Sequence, residues 1–456
     1  MQAVPFIVPG LPLWFHRFWQ VLLWVFFTFG AALLLMKKLA ISQIHSRFLF
    51  VLWIFLFLLQ GPVYYHLLVI CILVLWGFDK GAPWRTLVVT VLASLWAGVS
   101  RINWAPVPGM LAAVMYLCEV SVGKKPFWRY LGWPLIWTVL GTATAFLSQA
   151  AYVRWSGNPP EYFGSSLTSD LLWYRLFPSA TYPLGVIPAV VLACAPLLLL
   201  MGLRIVKVWP EWHFLRLLGL GAILSVLFLG GLVVSAKIGG GSNLHNLDAF
   251  LAMFCVVASY VLLGRTAPET LVVNAPGGGL IGDAPWNLTR VSAGLLLLAG
   301  LAPAGFAISL GGKYAPPDKT QAENGIAAIK EIVEESVQNG NEVLFVSERH
   351  LLTFQAINAP LFPDYEKVFL MEMAMSNNQA YLSTFYDDLH KHRFAIIVIH
   401  PQRINYQGAV HVFGEENDAW VKRVTEPLLC EYKSLMKLPD IRVELFVPRE
   451  GTRNCP

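Results

Sequence analysis

Ten apolar runs constrain this chain more strongly than any other feature. They lie at about residues 18–36, 48–60, 63–77, 86–99, 104–120, 130–153, 184–206, 215–236, 247–264 and 288–309. Several are shorter than the roughly 17–25 residues with which a helix crosses a bilayer. Only 13% of the residues are charged, against about 25% in soluble domains. The sequence therefore predicts a polytopic α-helical membrane domain with about 8–10 spans, some of them short or kinked.

The short runs come in pairs, each broken by a polar or proline-containing corner. The corners are QGPVYY at 60–65 and SRINWAPVP at 100–108. Proline and glycine at such corners fit two arrangements. Each pair is therefore either two short spans or one kinked segment.

The carboxylates divide the chain into two parts. Residues 1–309 contain eight of the 28 Asp and Glu residues, and residues 310–456 contain the other 20. The sequence thus predicts a transmembrane domain over 1–309 and a soluble domain over 310–456, which is a normal domain size.

The soluble domain alternates helical and strand patterns. Helices are expected within 317–340, 377–393 and 416–432, and strands at 342–347, 394–399 and 441–448. This order predicts a small α/β domain with a largely parallel sheet. Glu348, His350 and His400 lie near strand ends, where α/β sites collect, but we interpret them as surface polar groups. The domain is expected to cover one membrane face or to bind an acceptor.

Lysine and arginine predict the orientation. One side receives the basic loops 37–47, 78–85, 123–129, 204–216 and 265–290. The other side receives only the scattered charges Arg17, Arg101, Arg154, Arg175 and Lys237. We therefore expect the first side to be cytoplasmic and the soluble domain to be extracytoplasmic.

The N-terminal segment MQAVPFIVPGLPLWFHRFWQ resembles a loop that runs into a span. On this orientation it lies outside, which suggests a longer gene product with an upstream span and a first outer loop. The alternative is that this short, weakly charged segment translocates unaided.

A polar corner between two spans carries the first set of candidate binding residues. It is the stretch SAKIGGGSNLHNLDAF at 235–250, with Lys237, Gly240, Gly241, Asn243, His245 and Asn246. Successive glycine amides can hold an anion, and a lysine beside them suits a phosphate. Arg101 and Asn103 lie at the same predicted face, so we expect Arg101 and Lys237 to approach one another. The alternative is an ordinary Gly/Asn turn with a lysine that extends to the membrane surface.

Three carboxylates are the candidate general bases. Glu161, Asp170 and Asp248 are the only carboxylates of the membrane domain on the predicted outer side. Each has a simpler alternative: Glu161 and Asp170 lie in a loop that solvent can reach, and Asp248 can cap the helix that follows it.

Four stretches together resemble a known family. They are GPVYYHLL, ASLWAGVSRINWAPVPG, KIGGGSNLHNLDAF and GEENDAW. With the irregular spans and the C-terminal α/β domain, they resemble the GT-C membrane glycosyltransferases, the broad group that includes polyprenyl-phosphate-mannose and aminoarabinose transferases, and in particular bacterial membrane proteins of this type.

The resemblance implies inverting transfer of a sugar from a polyprenyl-phosphate donor at the extracytoplasmic face of the cell membrane. It implies that Lys237 and Arg101 contact the lipid phosphate. The general base of such enzymes is an acidic residue of the first outer loop, and no such loop is evident here. A divalent metal fits this chemistry, although the sequence has no ligand signature for one and no nucleotide motif.

Other classes of function remain open. A non-catalytic membrane assembly or scaffold protein would need no polar cluster at the outer face. A transporter or flippase would place charged pairs at mid-membrane, and the apolar runs contain few such charges. The net charge of +5 comes from loop residues and gives no indication of a nucleic-acid partner.

Overall fold

The computed structural model describes residues 1–41, 43–60, 63–163, 168–207, 212–240, 244–269, 290–309 and 318–451. Within these ranges, a bundle of ten α-helices precedes a smaller α/β domain. The helices of the bundle are α1 Leu13–Lys38, α2 Ile44–Gln60, α3 Tyr65–Gly77, α4 Pro83–Ser100, α5 Val107–Glu119, α6 Phe127–Trp155, α7 Val186–Lys207, α8 Phe214–Ala236, α9 Asp248–Leu262 and α10 Arg290–Ser309.

Each predicted apolar run forms a helix of its own. Five helical segments are long and apolar enough to cross a membrane: α1, α6, α7, α8 and the segment His245–Leu262, which contains α9. The remaining helices of the bundle pack against these five, and one continuous apolar core runs from Ala31 to Ala299.

The short pairs are separate helices rather than kinked single spans. Ile102–Trp104 forms one turn of 3₁₀ helix between α4 and α5. Lys38, at the end of α1, pairs with Glu119 at 3.5 Å and donates a hydrogen bond to the carbonyl of Phe78. The C-terminal end of α5 therefore lies beside the connection between α3 and α4, so that α4 and α5 run in opposite directions.

The bundle end near Glu119 is closed by Arg216, whose side chain is fully buried. Its guanidinium donates to the carbonyls of Leu117 and Cys118 at 2.7 and 3.0 Å, and to the carboxylate of Glu269 at 3.2 Å. A cation at a helix C-terminus satisfies carbonyls that have no partner within the helix. Arg216 thus ends α5 and ties it to α8.

The C-terminal domain contains six further α-helices and four strands among the described residues. The helices are α11 Lys319–Gln338, α12 His350–Thr353, α13 Lys367–Met375, α14 Gln379–His390, α15 Gly414–Trp420 and α16 Glu426–Glu431. The strands are β1 Glu342–Phe345, β2 Phe394–Ile399, β3 Tyr432–Leu438 and β4 Val443–Pro448. A π-helical segment, Val421–Thr425, joins α15 to α16.

The sheet has the order β1-β2-β4-β3. Only β1 and β2 are parallel, and β4 is antiparallel to both of its neighbours. The expectation of a largely parallel sheet was therefore wrong. The cause is β3, whose mostly exposed residues carry no strong strand pattern and whose hairpin with β4 adds an antiparallel edge.

The sheet is covered on both faces. Leu344, Ile397 and Phe446 point toward a core formed with α13, α14 and the α15–α16 segment. Their neighbours in the strands, such as Phe345 and Val398, point toward α11 and α12. This alternation follows from the two-residue period of a strand. The domain is thus a three-layer α/β structure in which α13 lies on the layer nearest the bundle.

Candidate functional site

A cavity of about 700 Å³ lies between the helical bundle and α13. We call it the interdomain cavity, and the bundle end that it adjoins the docked end. Its polar lining includes Arg101, Asn103, Lys237, His245, Asn246, Lys367 and Glu372. The predicted binding residues Arg101, Asn103, Lys237, Gly240, His245 and Asn246 thus meet at one site, whereas Gly241 and Asn243 lie outside the described residues.

Helix termini bring these residues together. Arg101 directly follows the last residue of α4, and Lys237 directly follows the last residue of α8. His245 and Asn246 form a 3₁₀ turn directly before α9. Because α4 and α8 end at the docked end and α9 begins there, short polar corners from three distant parts of the sequence converge.

Arg101 is held in place by its neighbours. It donates a hydrogen bond to Oδ1 of Asn246 at 2.8 Å, and Asn246 donates to the carbonyl of Gly240 at 2.5 Å. The guanidinium also lies 5.5 Å from the ring of Tyr64 and 5.7 Å from that of Trp104, within the range of cation–π attraction. These contacts orient the cation without neutralising it.

Lys237 shares the cavity with Arg101, as expected. Burial lowers the pKa of Lys237 below its ordinary value; of the two nearby charges, Glu372 opposes this shift and Arg101 adds to it. Among the described residues, no carboxylate lies within ion-pairing distance of Lys237, Arg101 or Lys367. An anion that entered the cavity would therefore be attracted by three cations whose charge no described residue neutralises through an ion pair.

The candidate bases proposed from the sequence lie elsewhere. None of Glu161, Asp170 and Asp248 belongs to the described lining of the interdomain cavity. Asp248 is only 2% exposed, and its carboxylate accepts from the Trp104 indole at 3.2 Å and from its own helix terminus, the Ala249 amide, at 2.7 Å. It therefore fixes Trp104 and begins α9, which corresponds to the capping alternative.

Asp170 and Glu161 contact the surrounding structure through their main-chain carbonyls. The carbonyl of Asp170 accepts from the amide of Ile238 at 2.9 Å, and Leu171 forms a β-bridge with Lys237. The carbonyl of Glu161 accepts from the side chain of Asn378 at 2.9 Å. Both carboxylates belong to exposed residues. Their segments position the corner around Lys237 and contact the C-terminal domain.

The glycine corner holds an anion that belongs to the protein. Gly239 has a positive φ of 79°, and its amide donates to the carboxylate of Glu416 at 2.7 Å. The amide of Gly240 donates to the carbonyl of Lys237 at 2.7 Å. The expectation that these amides cradle a ligand phosphate is thus corrected for both residues, because each amide already has an acceptor within the chain.

Glu416 belongs to a buried charged network that we call the interdomain clamp. Arg175, which is fully buried, donates to Glu416 at 2.5 and 2.7 Å and to Glu415 at 2.6 Å. Tyr174 donates to Glu415. Burial alone would raise the pKa of Glu415, but hydrogen bonds from Tyr174 and Arg175 hold it below its ordinary value. The clamp thus joins the docked end to the start of α15.

Sequence reasoning missed Lys367 and Glu372, the two charges that α13 contributes to the cavity. Lys367, Met371 and Met375 repeat every four residues and face the cavity together with Glu372, as helical geometry requires. The only available signal was the apolar stretch KVFLMEMAM, which carries one lysine and one glutamate within a nine-residue helix. Glu372 is the one carboxylate in the described lining.

Comparison with known proteins gives this site no precedent: no family model, no curated protein and no solved structure matches the chain. Among the described residues, no group of three or more His, Cys, Asp or Glu side chains is arranged to hold a metal ion. The chemistry of the cavity must therefore be inferred from its own side chains.

Proposed function

We propose that the protein is a membrane glycosyltransferase of the GT-C type, which transfers a sugar from a polyprenyl-phosphate donor in the interdomain cavity. The observation that carries this proposal is that Arg101, Lys237 and Lys367 line one cavity with Glu372, the one carboxylate of its described lining, at the end of a membrane-type bundle. Val233 and Leu171 add apolar wall beside these charges. A lipid phosphate needs both features, cations for its head and apolar surface for its chain.

The reaction would be an inverting substitution. Glu372 accepts the proton of the acceptor hydroxyl, and the hydroxyl oxygen attacks the anomeric carbon. The bond between that carbon and the phosphate oxygen breaks, and its electron pair leaves with the lipid phosphate. Arg101, Lys237 and Lys367 stabilise the charge that develops on this leaving group. Glu372 replaces Glu161, Asp170 and Asp248 as the candidate base because, among the carboxylates that the structure describes, it is the one that lines the cavity with these cations.

We further propose that the docked end is extracytoplasmic. The distribution of basic loops supports this orientation. A second support is Cys430 of α16, which is disulfide-bonded, since disulfides persist in oxidising compartments and are rare in the cytosol. Labelling of an introduced cysteine at exposed Lys391 by a membrane-impermeant maleimide on intact cells would test this placement, and labelling only after cell lysis would contradict it.

Sugar transfer in liposomes tests the activity directly. Labelled polyprenyl-phosphate hexoses and pentoses serve as donors. We expect Lys237→Gln to lower the rate about 10²–10³-fold, as for the loss of one preorganised electrostatic group, and Glu372→Gln to lower it about 10²–10⁴-fold. Lys391→Gln and Glu331→Gln change exposed side chains outside the cavity and are the matched controls. Robust transfer that survives both cavity substitutions would contradict these roles.

A non-catalytic scaffold is the second candidate, and the interdomain clamp favours it. A buried Arg–Glu–Glu network that fixes one domain on another would suit a protein whose task is to present a rigid surface. The same assay separates the two functions. A scaffold transfers no sugar from any donor and is indifferent to Lys237→Gln, but it depends on Arg175.

A further inference from the structure

A second cavity, of about 640 Å³, lies beside the interdomain cavity and shares Ser100 and Arg101 with it. We call it the aromatic cavity. Its walls contain Trp24, Tyr64, Tyr65, His66, Trp96 and Trp104. The rings come from α1, the start of α3, the end of α4 and the turn before α5. The reaction proposed above assigns them no role.

Two of these rings are too deeply buried to belong to an ordinary interfacial belt. Belt residues lie at the lipid–water boundary, whereas Tyr65 and Trp104 are 2% and 3% exposed. The indole N–H of Trp96 donates to the carbonyl of His66 at 3.0 Å, and that of Trp104 donates to Asp248. The polar edges of both indoles are thus satisfied inside the protein.

The ring faces are also fixed relative to one another. His66 stacks on Tyr65 with a centroid separation of 4.0 Å, and it lies nearly parallel to Trp96 at 6.0 Å. Trp24 contacts Tyr65 edge-on at 5.8 Å. A ligand that packs against such rings in the cavity would require little ordering of side chains, which favours affinity.

The chemistry of this lining selects a neutral polyol. Flat aromatic faces bind the C–H face of a sugar ring through burial and weak C–H contacts, while Gln2, Ser100 and Arg101 at the rim offer hydrogen bonds to hydroxyl groups. A cationic ligand is disfavoured by Arg101. A purely apolar chain would displace water from these polar groups without offering them a hydrogen bond.

We propose that the aromatic cavity binds the sugar ring of the donor while the interdomain cavity binds its phosphate. Arg101 lies at the junction of the two, where the bond between the sugar and the phosphate would be placed. This inference rests on the proposed function, because it assigns two parts of one donor to two adjoining cavities.

The test compares the affinity of the full chain in nanodiscs for a labelled polyprenyl-phosphate hexose and for sugar-free polyprenyl phosphate. We expect the wild-type chain to prefer the sugar-bearing lipid. Trp96→Leu should reduce that preference about five- to tenfold, which is the loss of one well-placed aromatic contact, and Trp96→Phe should restore most of it. Lys237→Gln should weaken both lipids alike. Retained binding of the sugar-free lipid shows that Trp96→Leu is folded.

Trp24→Leu is a second, independent variant that leaves the indole hydrogen bond of Trp96 untouched, and it should reduce the same preference. Equal affinity of the wild-type chain for both lipids, or an equal loss for both in Trp96→Leu and Trp24→Leu, would overturn the sugar assignment and leave the phosphate site standing. If neither the sugar-bearing nor the sugar-free lipid bound the wild-type chain, the proposed function itself would be contradicted.

Discussion

Arg175 joins the two domains through the interdomain clamp. Replacing it with Met would leave Glu415 and Glu416 without their cation at a buried site, and breaking such a pair from one side typically costs about 3–5 kcal/mol. We expect Arg175→Met to make residues 318–451 far more susceptible to limited proteolysis while α1–α9 stay protected.

Arg85 provides the matched control for this substitution. It pairs with Asp79 at 3.7 Å, with side-chain exposures of 55% and 42%, and exposed pairs of this kind contribute about 0–1 kcal/mol. Arg85→Met should leave the digestion pattern unchanged. Equal sensitivity of the two variants would show that the clamp contributes no more than a surface pair.

His400 makes the stability of the C-terminal domain depend on pH. Burial, and then the charge of Lys367, lower the pKa of His400 to about 4 from an ordinary value of 6.5. Between these values the unfolded chain binds a proton that the folded domain does not, so stability is complete above pH 6.5 and decreases as the pH falls toward 4. The loss should reach up to about 3 kcal/mol at pH 4.

Hydrogen exchange of peptides from β2 and β4 between pH 7 and 4, corrected for the intrinsic exchange rate, measures this loss. His400→Gln should remove the His400 component, whereas His390→Gln changes an imidazole with 79% side-chain exposure and should retain it. An identical pH dependence in His400→Gln and in the wild-type chain would show that another group is responsible.

At the scale of single residues, the sequence predicted the location of the cations better than that of the carboxylates. Arg101 and Lys237 were recognisable because a polar cluster at the end of an apolar run is costly unless it is used. Asp248 lies at the end of an apolar run as Arg101 and Lys237 do, so the sequence places it at the same accessible face. In the structure, however, the indole of Trp104, 144 residues away, contacts both of its carboxylate oxygens. Such a pairing leaves no local trace, and so the sequence could not distinguish Asp248 as a buried structural carboxylate from Asp248 as a general base.

At the scale of elements, α15 depends on a tight entry turn. Phe413 adopts a left-handed conformation with φ 54°, and a Cβ on Gly414 would lie 1.7 Å from the carbonyl oxygen of Gly408. Gly414→Ala must therefore move the helix that carries Glu415 and Glu416. We expect a destabilisation of about 1–3 kcal/mol, as for overpacking, and loss of protection in the Lys237–Gly240 corner by hydrogen exchange.

Gly230→Ala is the control for this helix variant. Gly230 lies in α8, and a Cβ at this position would meet no atom within 4 Å. Alanine there should leave the stability of the protein unchanged or raise it by up to about 1 kcal/mol. If Gly414→Ala left the hydrogen exchange of the corner around Lys237 unchanged, the position of α15 would not determine the structure of the docked end.

Helices with strong periodicity were predictable, and elements set by tertiary contacts were not. All ten apolar runs became helices because every backbone group in an apolar stretch must be paired within the segment. The π-helical segment was not foreseen. Pro427 has no N–H to bond with the carbonyl of Arg423, and Tyr386, 37 residues away, donates to that carbonyl at 3.1 Å. Only the folded domain supplies this partner.

At the scale of the whole molecule, the candidate site exists only when the two domains are docked. The bundle supplies Arg101 and Lys237, and α13 supplies Lys367 and Glu372. The contacts that bring them together join residues about 180–240 positions apart, such as Gly239 with Glu416 and Thr181 with Phe413. A single sequence gives no register for such long-range contacts, which is why the C-terminal domain was expected only to cover one membrane face or to bind an acceptor.

Photo-crosslinking with a diazirine-bearing polyprenyl phosphate, in nanodiscs and with mapping of the labelled peptides, tests the shared cavity most directly. We expect label on both the Lys237–Gly240 corner and α13, lost in Lys237→Gln and retained in the control Lys391→Gln. Label confined to the outer surface of the spans and unchanged in Lys237→Gln would contradict a lipid-phosphate site between the two domains.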